Sequence, residues 1–207
     1  MAIAARLGLR RNRDDRAAAD DGAIDLLSSS FLGYSADGRG WDPAGQRLID
    51  PVGDDDAHLA HLSGRAYAAV RRDGGQVIVV SLLGRHEARV TRFDQSGTVP
   101  VEIREFREVD DRLWLRGIKR TNGGDTVPAD QQITDWFTWV RPDTSATWTR
   151  FDQQSPQGRA HELRLDWNPG AHWYDHPAFG DYDELVGEAN LLGRLWPDVE
   201  PLAFRGR

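Results

Sequence analysis

Short runs of β-favouring residues follow one another from residue 65 to residue 167, separated by turn residues and with almost no helical periodicity. Strands so close in sequence are joined by tight turns and therefore pair antiparallel. We expect a mainly β fold: an antiparallel curved sheet or barrel of about eight meandering strands with peripheral helices. An α+β arrangement is the alternative. The pattern confines any function to the faces of the sheet and to the loops between strands.

The turns and the alternation of residue types place the individual strands. They are predicted at residues 65–71, 76–82, 87–93, 99–106, 112–120, 133–140, 144–151 and 159–167. The strongest turn signal is Asp73-Gly74, because this pair adopts positive φ angles easily. Residues 99–106 alternate between apolar and charged, which indicates one buried and one solvated face. Residues 77–83 and 136–140 are apolar on both faces, so we expect both of these strands to be covered on both sides.

The segments that flank the β region contain the predicted helices. Helices are expected at residues 14–30, 54–62 and 182–192, and residues 33–56 are loop-like because glycine and proline interrupt them. Three aspartates open the second helix and Gly64 closes it, whereas Asp181 is the expected N-cap of the third. We expect residues 1–64 to form an arm, helix and loop that pack on the sheet, and residues 65–207 to form the β domain with its C-terminal helix. A chain of 207 residues fits one structural domain overall.

Composition excludes several classes of function. The chain has no cysteine, which rules out disulfide frameworks, zinc ribbons, thiolate nucleophiles and iron–sulfur clusters. Its net charge of −7 argues against nucleic-acid binding, because neutralising phosphates requires a basic surface. No apolar run is long enough to cross a membrane and no secretory signal is apparent, so a cytoplasmic location is expected. No phosphate-binding glycine loop is present, and no cofactor is predicted.

The eight tryptophans carry the clearest binding signal. Trp114 alternates with Leu113 and Leu115, on the same predicted face as Arg116, and Trp148 is related to Arg150 in the same way. Exposed tryptophan beside arginine is typical of interface hot spots and of aromatic ligand walls, whereas buried tryptophan is a core residue. An aromatic loop at residues 168–180 follows the last strand. The predicted binding residues are Trp114, Trp148, Trp139, Trp167, Trp173, Tyr174, Arg116 and Arg150.

Histidines provide two further candidate sites. Strand alternation places His161 on one face with Leu163, Leu165 and Trp167, where it would be either a general base or a hydrogen-bonded core residue. A metal-like cluster is formed by His172, Asp175 and His176. Its spacing would place both rings together only in a helix, and this stretch is predicted to be a loop. Surface histidines are therefore the alternative interpretation.

Two functions of different classes follow from these observations, and whether the chain is an enzyme is left open. The absence of any catalytic motif favours a non-enzymatic binding protein, of a bacterial accessory or toxin-neutralising type. It would hold a protein partner with an aromatic-rich sheet face and the loop at 168–180. The alternative is a small-molecule-binding β-barrel enzyme or carrier, with an apolar cavity lined by Trp139, Leu165 and Trp167 and with His161 as its polar group. A metal-dependent hydrolase is a third hypothesis.

Overall fold

The computed structural model describes residues 30–122, 128, 131–139, 146–152, 155–163 and 172–187. The helix predicted at residues 14–30 lies outside this part of the chain, except for Ser30, which begins a strand. Within the described residues, neither helix has the length and apolar character needed to cross a membrane.

Thirteen strands and two helices make up the described part of the chain. The strands are β1 (Ser30–Ser35), β2 (Trp41–Asp42), β3 (Arg47–Leu48), β4 (Pro51–Val52), β5 (Tyr67–Asp73), β6 (Gln76–Leu82), β7 (Glu87–Phe93), β8 (Pro100–Val109), β9 (Arg112–Thr121), β10 (Thr134–Trp139), β11 (Ala146–Asp152), β12 (Ser155–Leu163) and β13 (Trp173–Tyr174). Helix α1 spans Asp54–Ser63 and helix α2 spans Asp183–Val186.

One antiparallel sheet contains most of these strands, so the predicted mainly β fold is confirmed. Its order is β12-β11-β10-β9-β8-β7-β6-β5-β1-β4, with β13 paired to β9. The eight predicted strands correspond to β5–β12, and β6 and β7 have the predicted bounds. Across the described residues the two ends of this order do not pair, so the sheet is open rather than closed into a barrel.

Two tight turns fix the register in the middle of the sheet. Asp73 pairs with Gln76 across Gly74 and Gly75, whose φ angles of 54° and 82° lie in the left-handed region. The turn between β8 and β9 is similar, but aspartates occupy it: Asp110 and Asp111 have φ angles of 51° and 60°. Aspartate tolerates this conformation because its short side chain bonds to the local backbone.

Strand β6 is buried on both faces, as its sequence predicted, because the sheet has a core on each side. The first core includes Ile78 and lies on the face that α2 covers. The second core contains Trp41, Ala68, Val70, Val77, Val79 and Phe93. Trp41 comes from the β2–β3 hairpin, and its Nε1 donates a hydrogen bond of 2.9 Å to the carbonyl of Gly97. The short strands of this hairpin correct the prediction that residues 33–56 form only loops.

A row of charged side chains crosses the sheet on the face of the first core. The register aligns Arg92, Glu102, Arg120, Asp135 and Arg150 on neighbouring strands. Glu102 lies 2.6 Å from Arg120, and Asp135 lies 2.7 Å from Arg150. Alternating signs on adjacent strands let each carboxylate bind a guanidinium across the ladder.

The helices and β10 differ from the sequence prediction in specific places. Helix α1 is confirmed, and Gly64 ends it in the left-handed conformation with a φ of 66°. Helix α2 begins at Asp183 with Tyr182, not Asp181, at its N-cap, and residues 188–192 lie outside the described part. Strand β10 was expected to be covered on both faces, but Trp136 is 40% exposed. Only the face that carries Phe137 is buried, which gives β10 one solvated face.

Candidate functional site

A cleft of about 310 Å³ opens beside the C-terminal end of α1, between the β6–β7 and β8–β9 turns and the segment after β13. Its floor is apolar and includes Tyr67, Leu82, Ala88 and Leu113. Its walls carry the ionisable side chains of His61, Arg65, Arg85, Glu87, Glu108, Asp111 and His176. This volume is at the lower end of the range for small-molecule sites, and an apolar floor with convergent polar groups is their usual composition.

A chain of hydrogen bonds leads from the cleft into the core. His61 Nδ1 lies 2.9 Å from Tyr67 Oη, which in turn lies 3.0 Å from Tyr182 Oη. Burial, and after it the neighbouring Tyr182, raise the pKa of Tyr34 to about 12. Burial also raises the pKa of Tyr67. These phenols therefore keep their protons at neutral pH and act as hydrogen-bond donors and acceptors only.

His61 is held in its neutral form. Burial lowers its pKa below the ordinary value, and the nearby His58 and His176 lower it further because a second positive charge would be unfavourable there. A neutral imidazole donates from one ring nitrogen and accepts at the other. When Nδ1 donates to Tyr67 Oη and Tyr67 donates onward to Tyr182, the lone pair on Nε2 is left to accept a proton.

A carboxylate between two histidines lies at the cleft, which Glu108 and His176 line. Glu108 Oε2 lies 2.9 Å from His86 Nδ1 and 3.7 Å from His176 Nε2. His86 is mostly exposed, whereas the Glu108 side chain is largely buried. A histidine held beside a carboxylate is an arrangement that proton-transfer sites use. His176 belongs to the loop at 168–180 that the sequence singled out.

Phe179 anchors the described part of that loop to α1. Its ring stacks on Tyr34 at 5.1 Å between centroids and on His58 at 4.7 Å. It also approaches His61 at 5.9 Å. These contacts place His176 and Pro177 at the edge of the cleft. The loop therefore contributes to a site through His176, which was predicted as a metal ligand, and through Pro177.

The three residues of the predicted metal site contact separate partners. His172 is buried with its ring 4.7 Å from that of Trp139, and burial lowers its pKa to about 4. Asp175 is exposed and lies 3.2 Å from Arg112, whereas His176 faces Glu108. In the part of the chain that the structure describes, no group of three or more His, Asp or Glu side chains could hold a metal ion.

Most of the predicted binding tryptophans that the structure describes are core residues. Trp114 is only 3% exposed, which corrects the expectation that it stands open beside Arg116. The cause is β13, which pairs with β9 and brings Trp173 opposite Trp114 and Tyr174 opposite Leu113. Trp139 and Tyr174 are fully buried, and Trp173 is half-buried under the guanidinium of Arg112. The pairing of β13 with β9 joins residues far apart in the chain, so strand alternation alone cannot reveal it.

The remaining predicted residues are placed only in part. Arg116 is exposed, and Arg150 forms two hydrogen bonds of 2.7 and 2.9 Å with Asp135. The backbone of Trp148 pairs with that of His161, but their side chains lie outside the described residues. Leu165 and Trp167 lie outside them altogether. The roles assigned to His161, Trp148 and Trp167, and the cavity lined by tryptophans, stay predictions.

Sequence reasoning did not find the cleft. His58 and His61 lie one turn apart on α1, which is the local signal that could have drawn attention to this helix. The contacts of Tyr67 with Tyr182 and of Glu108 with His176 join residues that are distant in sequence. Comparison with protein-family models, with curated proteins and with solved structures yields no match. Any functional argument therefore rests on the geometry of the site.

Proposed function

We propose that this protein binds a small amphipathic molecule in the cleft and moves a proton to or from it through His61. The observation that carries the proposal is the contact of 2.9 Å between His61 Nδ1 and Tyr67 Oη at the wall of a ligand-sized cleft. A histidine whose pKa is perturbed by burial and by specific neighbours, in a concave site, is a functional candidate on physical grounds.

The lining defines the chemistry of the molecule that fits. An apolar or aromatic body packs on Leu82, Ala88 and Leu113, and its polar end reaches His61. His61 Nε2 accepts a proton from a ligand O–H or N–H group. The cleft is thus suited to a weak acid such as a phenol.

Binding of 4-nitrophenol tests this proposal directly, because the molecule ionises near neutrality with a change in absorbance. We expect the wild-type protein to bind it and to change its absorbance, since Nε2 of the neutral His61 accepts from the phenol O–H group. His61→Gln should abolish the absorbance change. Arg116→Gln is the control, because Arg116 is exposed and is not among the residues that line the cleft, and it should behave like the wild type. Equal absorbance titrations for the wild type and His61→Gln would contradict the proposal.

A protein partner on the outer face of the sheet is the second candidate function. It is supported by Trp136, whose indole lies over Gly117, with Nε1 3.5 Å from the position that a Cβ atom would occupy there. The register places Lys119 and Thr149 on either side of Trp136. Exposed tryptophan beside a cation is a frequent hot-spot composition. A stoichiometric partner that binds the wild type and Thr91→Ala, but not Trp136→Ala, would establish this function; equal binding to all three proteins would end it.

A further inference from the structure

Helix α1 exposes its large apolar side chains, which is unusual for a helix that only packs on a sheet. It buries Ala57 and Ala60 against the first core, whereas Leu59 and Leu62 are 57% and 64% exposed. A helix on a protein surface normally turns its larger apolar residues inward. Large exposed apolar side chains that cluster together indicate an interaction surface.

These leucines belong to a continuous surface, which we call the apolar patch: Phe31, His58, Leu59, Leu62 and Phe179. Leu62 lies one helical turn from both His58 and Leu59. His58 stacks on Phe179, and Phe179 stacks on Tyr34, which contacts the ring of Phe31 at 4.8 Å. Phe31 is itself 55% exposed. The patch therefore runs from α1 to the beginning of β1.

We propose that the residues preceding β1 cover the apolar patch, with Ile24, Leu26 and Leu27 packed against Leu59 and Leu62. Residues 1–29 lie outside the described part of the chain, and the point at which they join it, Ser30, is next to Phe31 in the patch. Helix α1 has 10 residues, which gives it a length of about 15 Å. Leu27 is three residues from Ser30, within a reach of about 10 Å for extended chain.

Charge complementarity supports the same occupant. Asp54, Asp55 and Asp56 are exposed in the first turn of α1, and Asp55 lies on the helix face that carries Leu59 and Leu62. Residues 6–16 carry five arginines and two aspartates. When the apolar residues of the N-terminal segment pack on Leu59 and Leu62, the arginines that precede them can reach the aspartates in the first turn of α1. Because the segment is tethered, its effective concentration at the patch is in the millimolar range, which favours it over a free competitor.

Cysteine cross-linking in the full chain tests this proposal without background, since the protein has no cysteine of its own. The test protein carries Leu26→Cys and Leu62→Cys. The control carries Leu26→Cys and Arg72→Cys, because Arg72 on β5 pairs with Ser30 and therefore lies beside the tether, but does not belong to the patch. We expect an intramolecular disulfide to form at least tenfold faster in the test protein, as measured by mass spectrometry.

Three other outcomes overturn the proposal. Equal rates in the two proteins would mean that the tether alone brings the cysteines together. A disulfide between two molecules would assign the patch to a second copy of the chain, and a reduced, monomeric product would leave it to another partner. As a second measurement, Leu26→Asp with Leu27→Asp should speed alkylation of Cys at position 62 by iodoacetamide severalfold; an unchanged rate would contradict docking.

Discussion

At the scale of single residues, Glu102 is a charged side chain inside the fold that requires cationic partners. Its side chain is largely buried, and its carboxylate lies 2.7 Å from Arg104 and 2.6 Å from Arg120. Burial alone would raise its pKa, but the two guanidiniums hold the pKa below its ordinary value. Glu102 therefore remains charged and balances cations on strands β8 and β9. Arg104 also donates hydrogen bonds to the carbonyls of Leu185 and Val186, which connects this network to α2.

Replacing Glu102 by glutamine is expected to destabilise the protein by about 3–5 kcal/mol, because it leaves two largely buried guanidiniums without their carboxylate. Urea unfolding at pH 7 measures the loss. Glu105→Gln is the matched control, since Glu105 pairs with Arg89 at 3.2 Å on the solvated face. That pair should contribute only about 0–1 kcal/mol. A difference of less than 1 kcal/mol between the two variants would show that Glu102 is not essential to the network.

His172 gives the protein a specific sensitivity to acid. Its pKa falls from the ordinary 6.5 to about 4 because the ring is buried against Trp139. The unfolded chain takes up a proton below pH 6.5, but the folded protein does so only near pH 4. Its neutral form therefore stabilises the fold above pH 6.5, and this contribution is lost as the pH falls from 6.5 to 4.

Urea unfolding between pH 4 and pH 7.5 should reveal this contribution. The wild type is expected to lose at most about 3 kcal/mol from His172 over that range. His172→Gln removes the titrating group, so its stability should depend less on pH than that of the wild type, whatever its stability at pH 7. Thr91→Ala changes a side chain that does not titrate and should keep the wild-type profile. A profile for His172→Gln parallel to that of the wild type would refute the assignment.

At the scale of elements, the end of α1 shapes one wall of the cleft. Gly64 has a φ of 66°, and a Cβ atom there would lie 2.4 Å from Cγ of Arg85. The backbone N–H of Gly64 donates a hydrogen bond to the carbonyl of His61, and that of Arg65 donates to the carbonyl of Ala60. The glycine is therefore required both by the left-handed conformation and by the arginine that lies across it.

Gly64→Ala is expected to destabilise the protein by about 1–2 kcal/mol through the strained backbone conformation. It should also weaken the binding of 4-nitrophenol, because Arg85 must move and both residues line the cleft. Thermal unfolding and absorbance titration measure the two effects. Gly53→Ala is the control at the other end of α1, where φ is −72° and no atom lies within 4 Å of the added Cβ. Similar losses in both variants would contradict this account.

The elements that the sequence predicts well are those defined by their immediate neighbours. Strands β6 and β7 are bounded by glycine-containing turns, and α1 by aspartates and a glycine, so local chemistry determines their ends. Strand β13 has only two residues and exists because β9 offers it a free edge. The same long-range pairing buries Trp114 and removes it from the surface.

At the scale of the whole molecule, the candidate cleft is a product of topology. The cleft brings together α1, the β6–β7 turn, the β8–β9 turn and the segment after β13. The antiparallel strand order places both turns at the same end of the sheet. The tyrosines in contact at its base are 115 residues apart. No local periodicity encodes such a meeting, and this is why reading the sequence located the loop of His176 but not its partners.

Because both cores share β6, the protein should unfold as one domain. Ile78 and Val79 are adjacent and fully buried, but Ile78 packs in the first core and Val79 in the second. We expect Ile78→Ala to cost about 2–5 kcal/mol and Val79→Ala somewhat less, since fewer methyl groups are removed. Each variant should lower the unfolding midpoint of both cores equally, because β6 cannot unfold on one face and stay folded on the other.

Labelling with 5-fluorotryptophan lets the unfolding of each core be followed by itself, because Trp139 lies in the first core and Trp41 in the second. Two midpoints in the ¹⁹F spectra would mean that the two faces of the sheet fold independently.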